Sequence, residues 1–304
     1  MGYGEGSFEP EAHLDPAYPE HSPVDPLYPC QTLAPLGDLL GGVATPAIWS
    51  RIEAPLSRAL RELWQRLGLL ARGQPQHWVT LHCGRIALNA HGWERLCARY
   101  AGREPEPGLV APPGAGLRRI PELWEGWRSR PGRHRLRARL RRAQELAERG
   151  LAQAVGRDPA ELDAGELARG PLDERVWIEL LLPWLALRLT QSPAGDLSAE
   201  PDAASKAAPA RLRDAPDPCL RTAIALEQRF LSELGRRLVA QGRLDDPASL
   251  AYLSIAERIQ VVHEGSGYWK RLAQRRCARI ESYVPLELPV LFWGRPRVCR
   301  EKVG

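Results

Sequence analysis

Three features of the sequence predict a mainly α fold: a multi-helix bundle-like domain with one small β-hairpin and an extended Pro-rich N-terminal arm. Apolar residues recur at three- and four-residue steps through most of the chain beyond residue 45, one stretch reads as strand, and prolines crowd the first 35 residues. The chain has 304 residues, 44% hydrophobic and 26% charged, which suffices for a substantial core and excludes global disorder.

Residues 1–35 are the arm. Prolines at 10, 16, 19, 23, 26, 29 and 35 remove amide donors that a helix or ladder needs, and Tyr3, Phe8, Tyr18, Leu27 and Tyr28 are placed to pin the segment across a folded body. The helical domain covers 36–294. Thr45-Pro46 offers an N-cap with proline at N1, and Ile48, Ile52, Leu56, Leu60, Leu63, Leu67 and Leu70 extend an apolar stripe. Pro55 predicts a kink or break in it. Residues 78–89 read as two short strands about Cys83-Gly84, and 91–100 as a short helix. Residues 119–155 read as helix broken at Pro131-Gly132, with Leu136, Leu140, Ala143, Ala147, Leu151 and Ala154 on one face. Asp158-Pro159 caps a short helix, and 176–189, apolar nearly all round, predicts a buried central one. Residues 191–217, rich in Ser, Pro, Ala and Asp, predict a flexible insert. Beyond it the pattern predicts a helix over 219–241, an extended piece over 250–254, helices ending near His263 and over 267–283, and an extended end whose last residues, 295–304, are a tail.

The N-terminus lacks the basic and apolar regions of a signal peptide, and the longest apolar run is interrupted by Glu179, Pro183 and Arg188. A cytoplasmic location and no membrane partner are therefore expected. Six scattered cysteines with no C-x-x-C pair outline neither a zinc site nor a disulfide framework. Arginine supplies 39 of the 42 basic residues, and the net charge of +5 is too small to name a nucleic-acid partner.

Spacing isolates no catalytic group. His77, His82, Cys83, His91 and Cys97 crowd one region without H-E-x-x-H or paired-cysteine spacing, so packing roles and no metal are expected there. There is no G-x-S-x-G elbow, P-loop or dinucleotide fingerprint. Eight arginines between Arg128 and Arg142 could hold RNA, but interleaved Leu136 and Leu140 point to a solvated amphipathic helix. Most of the ten tryptophans fit apolar faces and are read as core.

Four segments in order resemble the central helical region of the phosphoenolpyruvate synthase-like phosphotransferases, the group that includes rifampicin phosphotransferase. Residues 31–46, ending Val43-Ala-Thr-Pro46, resemble the family's W-T-R-A-N-x-G-E-x-x-P-G-P-x-T-P. Gly84-Arg-Ile-Ala-Leu-Asn89 resembles G-R-x-Y-L-N. Residues 235–254 resemble G-x-x-L-x-x-x-G-x-L-x-x-P-x-D-x-x-Y-L-T, and Arg275-Arg276 with Leu288-Pro289 and Phe292-Trp-Gly294 resembles the arginine-rich helix that ends in proline and W-G. Gln31, Leu33, Pro35 and Ala87 replace the family's Trp, Arg, Asn and Tyr, the mark of a divergent branch.

The resemblance implies a helical acceptor-binding component of a split phosphotransferase, inactive alone. The family's ATP-binding and phosphohistidine domains would lie on separate partner chains, ATP and Mg would be bound only there, and this chain would hold a small-molecule acceptor and no cofactor. No T-S-H-type phosphohistidine motif is present, so no catalytic residue carries over. Among positions matching the motifs, Arg85 and Asn89 at the hairpin are the expected acceptor anchors, with Trp49 as an apolar wall. A non-enzymatic scaffold derived from that domain is the alternative.

Overall fold

The computed structural model describes residues 15, 17–28, 30–33, 43–69, 74–101, 130–191, 218–264, 267–288, 291–294 and 296. Eight α-helices and a small antiparallel sheet make up the described chain. None of these helices is long and apolar enough to cross a membrane.

Helix α1 (Pro46–Arg66) starts where Thr45 turns from extended backbone into Pro46 at N1. It runs through Pro55 without the break that the sequence allowed for. Proline costs the helix one amide donor, but Ile52, Pro55, Leu56 and Ala59 are buried together, and that packing outweighs the loss. Helix α1 packs on α5 (Glu174–Gln191), which in turn packs on α3 (Arg130–Val155). Trp177, Leu181, Trp184 and Leu185 put α5 at the centre of the larger core, as its all-round apolar sequence predicts. Of the expected insert at 191–217, Gln191 ends α5, while 192–217 and the stretch 119–129 lie outside the described residues.

A second core forms around α6 (Pro218–Ala240), with α4 (Ala164–Arg169), α7 (Ile255–His263) and α8 (Gly267–Tyr283). Asp163 with Glu166 caps α4, and Ser254 with Glu257 caps α7, each as a reciprocal box. The expected extended piece at 250–254 is instead a 3-10 turn over Pro247–Tyr252. Asp246 accepts from Ala248 N at 3.2 Å and Pro247 fixes φ at the first position, so the chain coils before Leu253 extends. A Cβ on Gly235 would lie 2.6 Å from Pro247 O, so glycine there lets α6 approach this turn.

Arg51 of α1, Glu227 of α6 and Arg258 of α7 join the two cores. Glu227 accepts from Arg51 at 3.1 Å and from Arg258 at 3.2 Å, all three buried. Arg51 also donates to Leu172 O and Arg169 O beside Gly170. Gly170 has φ +81, and a Cβ there would fall on the Arg51 guanidinium and 2.7 Å from Glu227 Oε2. Glycine is needed at that corner.

The hairpin is present and belongs to a larger sheet than expected. Strands β1 (Cys30–Thr32), β2 (Val79–His82), β3 (Arg85–Asn89) and β4 (Leu291–Trp293) are ordered β2-β3-β1-β4, all antiparallel. Helix α2 (Ala90–Tyr100) follows β3 directly. Gln31 sits opposite Asn89 on one side and Phe292 on the other, so the arm supplies an inner strand.

Candidate functional site

Three segments meet where the arm crosses the hairpin: Asp15 with residues 17–28, the turn between β2 and β3, and the end of α8. The arm runs beside β2. Ser22 N donates to Leu81 O and Cys83 N to Glu20 O, both at 2.8 Å, and His21 bridges His82. Asp15 accepts from Ala17 N and Tyr18 N and takes a forked pair of bonds from Arg276. Arg279 adds a donor to Asp15 and another to Tyr18 O. Tyr18 is fully buried and its hydroxyl donates to Ala44 O. Tyr28 stacks flat on His91, ring centres 4.0 Å apart. Leu27, also expected to pin the arm, is 57% exposed; Tyr3 and Phe8 lie outside the described residues.

The turn itself is unusual in its first residue. Cys83 (φ 45) and Gly84 (φ 70) are both left-handed, the pattern of a two-residue hairpin turn that favours Asn-Gly. Cys83 is the single non-glycine residue with positive φ among the described residues. A Cβ on Gly84 would lie 2.8 Å from Tyr18 Oη, so the arm also needs glycine there.

The junction is rich in titratable groups. Burial pushes the Cys83 thiol up to about 11; Glu20 pushes the same way and Arg85 opposes. Burial likewise raises the Tyr18 and Tyr283 hydroxyls well above their usual range. Asp15 is held below the ordinary carboxylate range: burial alone would raise it, but the Arg276 hydrogen bonds and the charges of Arg276 and Arg279 outweigh burial. Glu20, His21 and Cys83 each offer a ligand atom within 4.8 Å of the others, so these residues could hold a metal ion.

The anchors expected from the sequence lie apart. Arg85 opens β3, half-buried, with Nη2 donating to Val284 O at 3.4 Å. Asn89 closes the same strand, about 13 Å away by strand rise. Its Oδ1 accepts from Gly92 N, capping α2, and its Nδ2 donates to Tyr28 O at 2.8 Å. Trp49 is 3% exposed within the α1 core. Arg85 and Asn89 thus share a strand, while Trp49 belongs to the helical layer. The sequence reading missed Glu20 and His21. Their signal was faint: an adjacent acid–histidine pair 61 residues before the adjacent His82-Cys83 pair.

Two other basic features lie on α1 and α3. A groove of about 650 Å³ on α1 is lined by Arg58, Arg61, Glu62, Gln65 and Arg66. Arg66 pairs with Glu62 at 2.7 Å and Arg58 with Glu174 at 3.1 Å. On α3, Arg139 forks onto both Glu62 and Glu179 while Leu136 and Ala143 are buried. No family model, no curated protein and no solved structure matches the chain.

Proposed function

We propose that the chain is the helical acceptor-binding component of a phosphoenolpyruvate synthase-like phosphotransfer system. In this reading it works in the cytoplasm, takes a small-molecule acceptor, and leaves ATP and magnesium to ATP-binding and phosphohistidine partner chains. One observation carries the proposal. Described parts of the four segments that resemble the family, spread from residue 31 to 294, are linked in the fold. Gln31 of the first stands between Asn89 of the second and Phe292 of the fourth. Tyr252 O of the third accepts from Arg276 of the fourth at 3.0 Å.

Partner docking has a surface that suits it. Among the described residues β4 is an outer strand, with Trp293 55% exposed, and Val284 beside Arg85 is 61% exposed. Exposed apolar side chains on a sheet edge are a common seat for another chain.

The scaffold reading is favoured by a different observation. Both amide atoms of Asn89 are spent on structure and Trp49 is buried in the core, which leaves Arg85 alone facing outward. Melting curves against a panel of pyruvate and hydroxylated aromatic compounds separate the two. An acceptor-binding chain gains melting temperature progressively with at least one class, and Arg85→Ala loses that gain at unchanged ligand-free stability. A flat response to every compound leaves the scaffold reading.

A further inference from the structure

We propose that Glu20, His21 and Cys83 form a zinc site that staples the arm to the hairpin. The donors come from the adjacent pair Glu20-His21 on the arm and from Cys83 at the turn, held in register by backbone bonds: Cys83 N to Glu20 O and Ser22 N to Leu81 O, both 2.8 Å. Their ligand atoms already lie within 4.8 Å of one another. Zinc holds nitrogen, oxygen and sulfur ligands at about 2.0–2.3 Å, which sets neighbouring donors on a tetrahedron about 3.3–3.7 Å apart. Small side-chain rotations close the difference. The mixed set of thiolate, imidazole and carboxylate suits zinc over the oxygen-loving calcium and magnesium.

His82 lies beside the group. Its Nδ1 is 3.3 Å from His21 Nδ1, a hydrogen bond between the two rings, and its Nε2 is 3.1 Å from Thr80 Oγ1. A neighbouring hydrogen bond that orients a ligand ring in this way is a regular companion of metal-binding histidines. Three protein ligands leave the fourth position of the tetrahedron to a solvent molecule.

The backbone gives an independent reason. At φ 45 Cys83 occupies a turn position where Asn or Gly is at ease and a cysteine is strained. Its thiol is buried, with Sγ within 4.8 Å of a Glu20 oxygen and a His21 nitrogen. Zinc displaces the thiol proton to solvent and neutralises the thiolate and carboxylate charges. The staple also has work to do. Leu27 points largely to water, and between residues 17 and 28 Tyr18 is the fully buried apolar side chain.

The test uses the untagged full chain, loaded with zinc, passed through gel filtration and analysed for metal by mass spectrometry, then repeated with cobalt. The expected result is about one zinc per chain, a melting temperature lowered by chelation, and a thiolate-to-cobalt charge-transfer band. His21→Ala and Cys83→Asn should both lose the stoichiometric metal and the band. Asn suits the turn, so Cys83→Asn should still unfold cooperatively, and chelation should leave its melting temperature unmoved. Zinc well below one equivalent, a cobalt spectrum without the thiolate band, or full zinc retention by Cys83→Asn would each overturn the proposal.

Discussion

Arg276 grips Asp15 through two parallel hydrogen bonds, Nε to Oδ2 at 2.6 Å and Nη2 to Oδ1 at 2.7 Å. The same guanidinium donates to both oxygens of Glu257, at 2.6 and 2.8 Å, and to Tyr252 O. One side chain on α8 thereby ties the arm, the α7 cap and the 3-10 turn together. Only a planar fork of donors can serve two carboxylates in this way.

Replacing Arg276 with Ala should strand Asp15 and Glu257 without their shared cation. The expected cost is about 3 kcal/mol, read as a lower denaturation midpoint, with faster proteolysis within residues 15–28. Arg276→Lys should fall between the two proteins, since an ammonium replaces the fork with a point charge. Unchanged proteolysis of the arm in Arg276→Ala would mean that other contacts hold it.

Glu227 carries two arginines in the core. Glu227→Gln leaves both cations buried without a counter-charge and should cost about 3–5 kcal/mol. The double variant Glu227→Gln with Arg258→Met removes the more deeply buried of them and should regain a large part of that loss. Denaturant titrations of the three proteins measure it, and strict additivity would show that charge is not the cause.

His91 gives the stability a pH window. Burial first, and Arg95 second, pull its pKa down to about 4, and its Nε2 has no hydrogen-bond partner among the described residues. The folded state therefore binds fewer protons than the unfolded chain between the ordinary value of about 6.5 and about 4. Its contribution is complete above that window and falls through it, by about 3 kcal/mol at the acid end. His91→Phe keeps a ring against Tyr28, 4.0 Å away in the native stack, and should flatten this part of the curve. Identical slopes in both proteins between pH 6.5 and 4 would contradict the assignment.

Local signals made much of this fold legible. Thr45-Pro46 and the apolar stripe behind it mark the start of α1, and the 267–283 spacing matches α8 end to end. The turn at Cys83-Gly84 was visible because strand patterns flank it. Strands β1 and β4 were not: each is three residues long and exists because its partners pair with it. The unbroken helix through Pro55 has the same origin, since its reward is tertiary packing. At the junction, Arg85 and Asn89 were legible on β3, but the spent amide of Asn89 depends on Tyr28 arriving from the arm. Glu20 and His21 join Cys83 only through the backbone pairing of arm and hairpin, which no spacing along the chain records.

Phosphoryl transfer with labelled ATP reads out the proposed division of labour. The purified chain, magnesium, ATP labelled in its β-phosphate and the acceptor chosen by melting shift are incubated with and without an ATP-binding and phosphohistidine protein of the phosphoenolpyruvate synthase class. The expected result is no label on chain or acceptor without that protein, and labelled acceptor when it is added, at a rate cut by Arg85→Ala. A relay of this kind needs a phosphate cradle and a mobile histidine, and the proposal assigns both to the partner. Label on the acceptor or on a histidine of this chain in the partner's absence, or no dependence of acceptor labelling on this chain in its presence, would contradict the account.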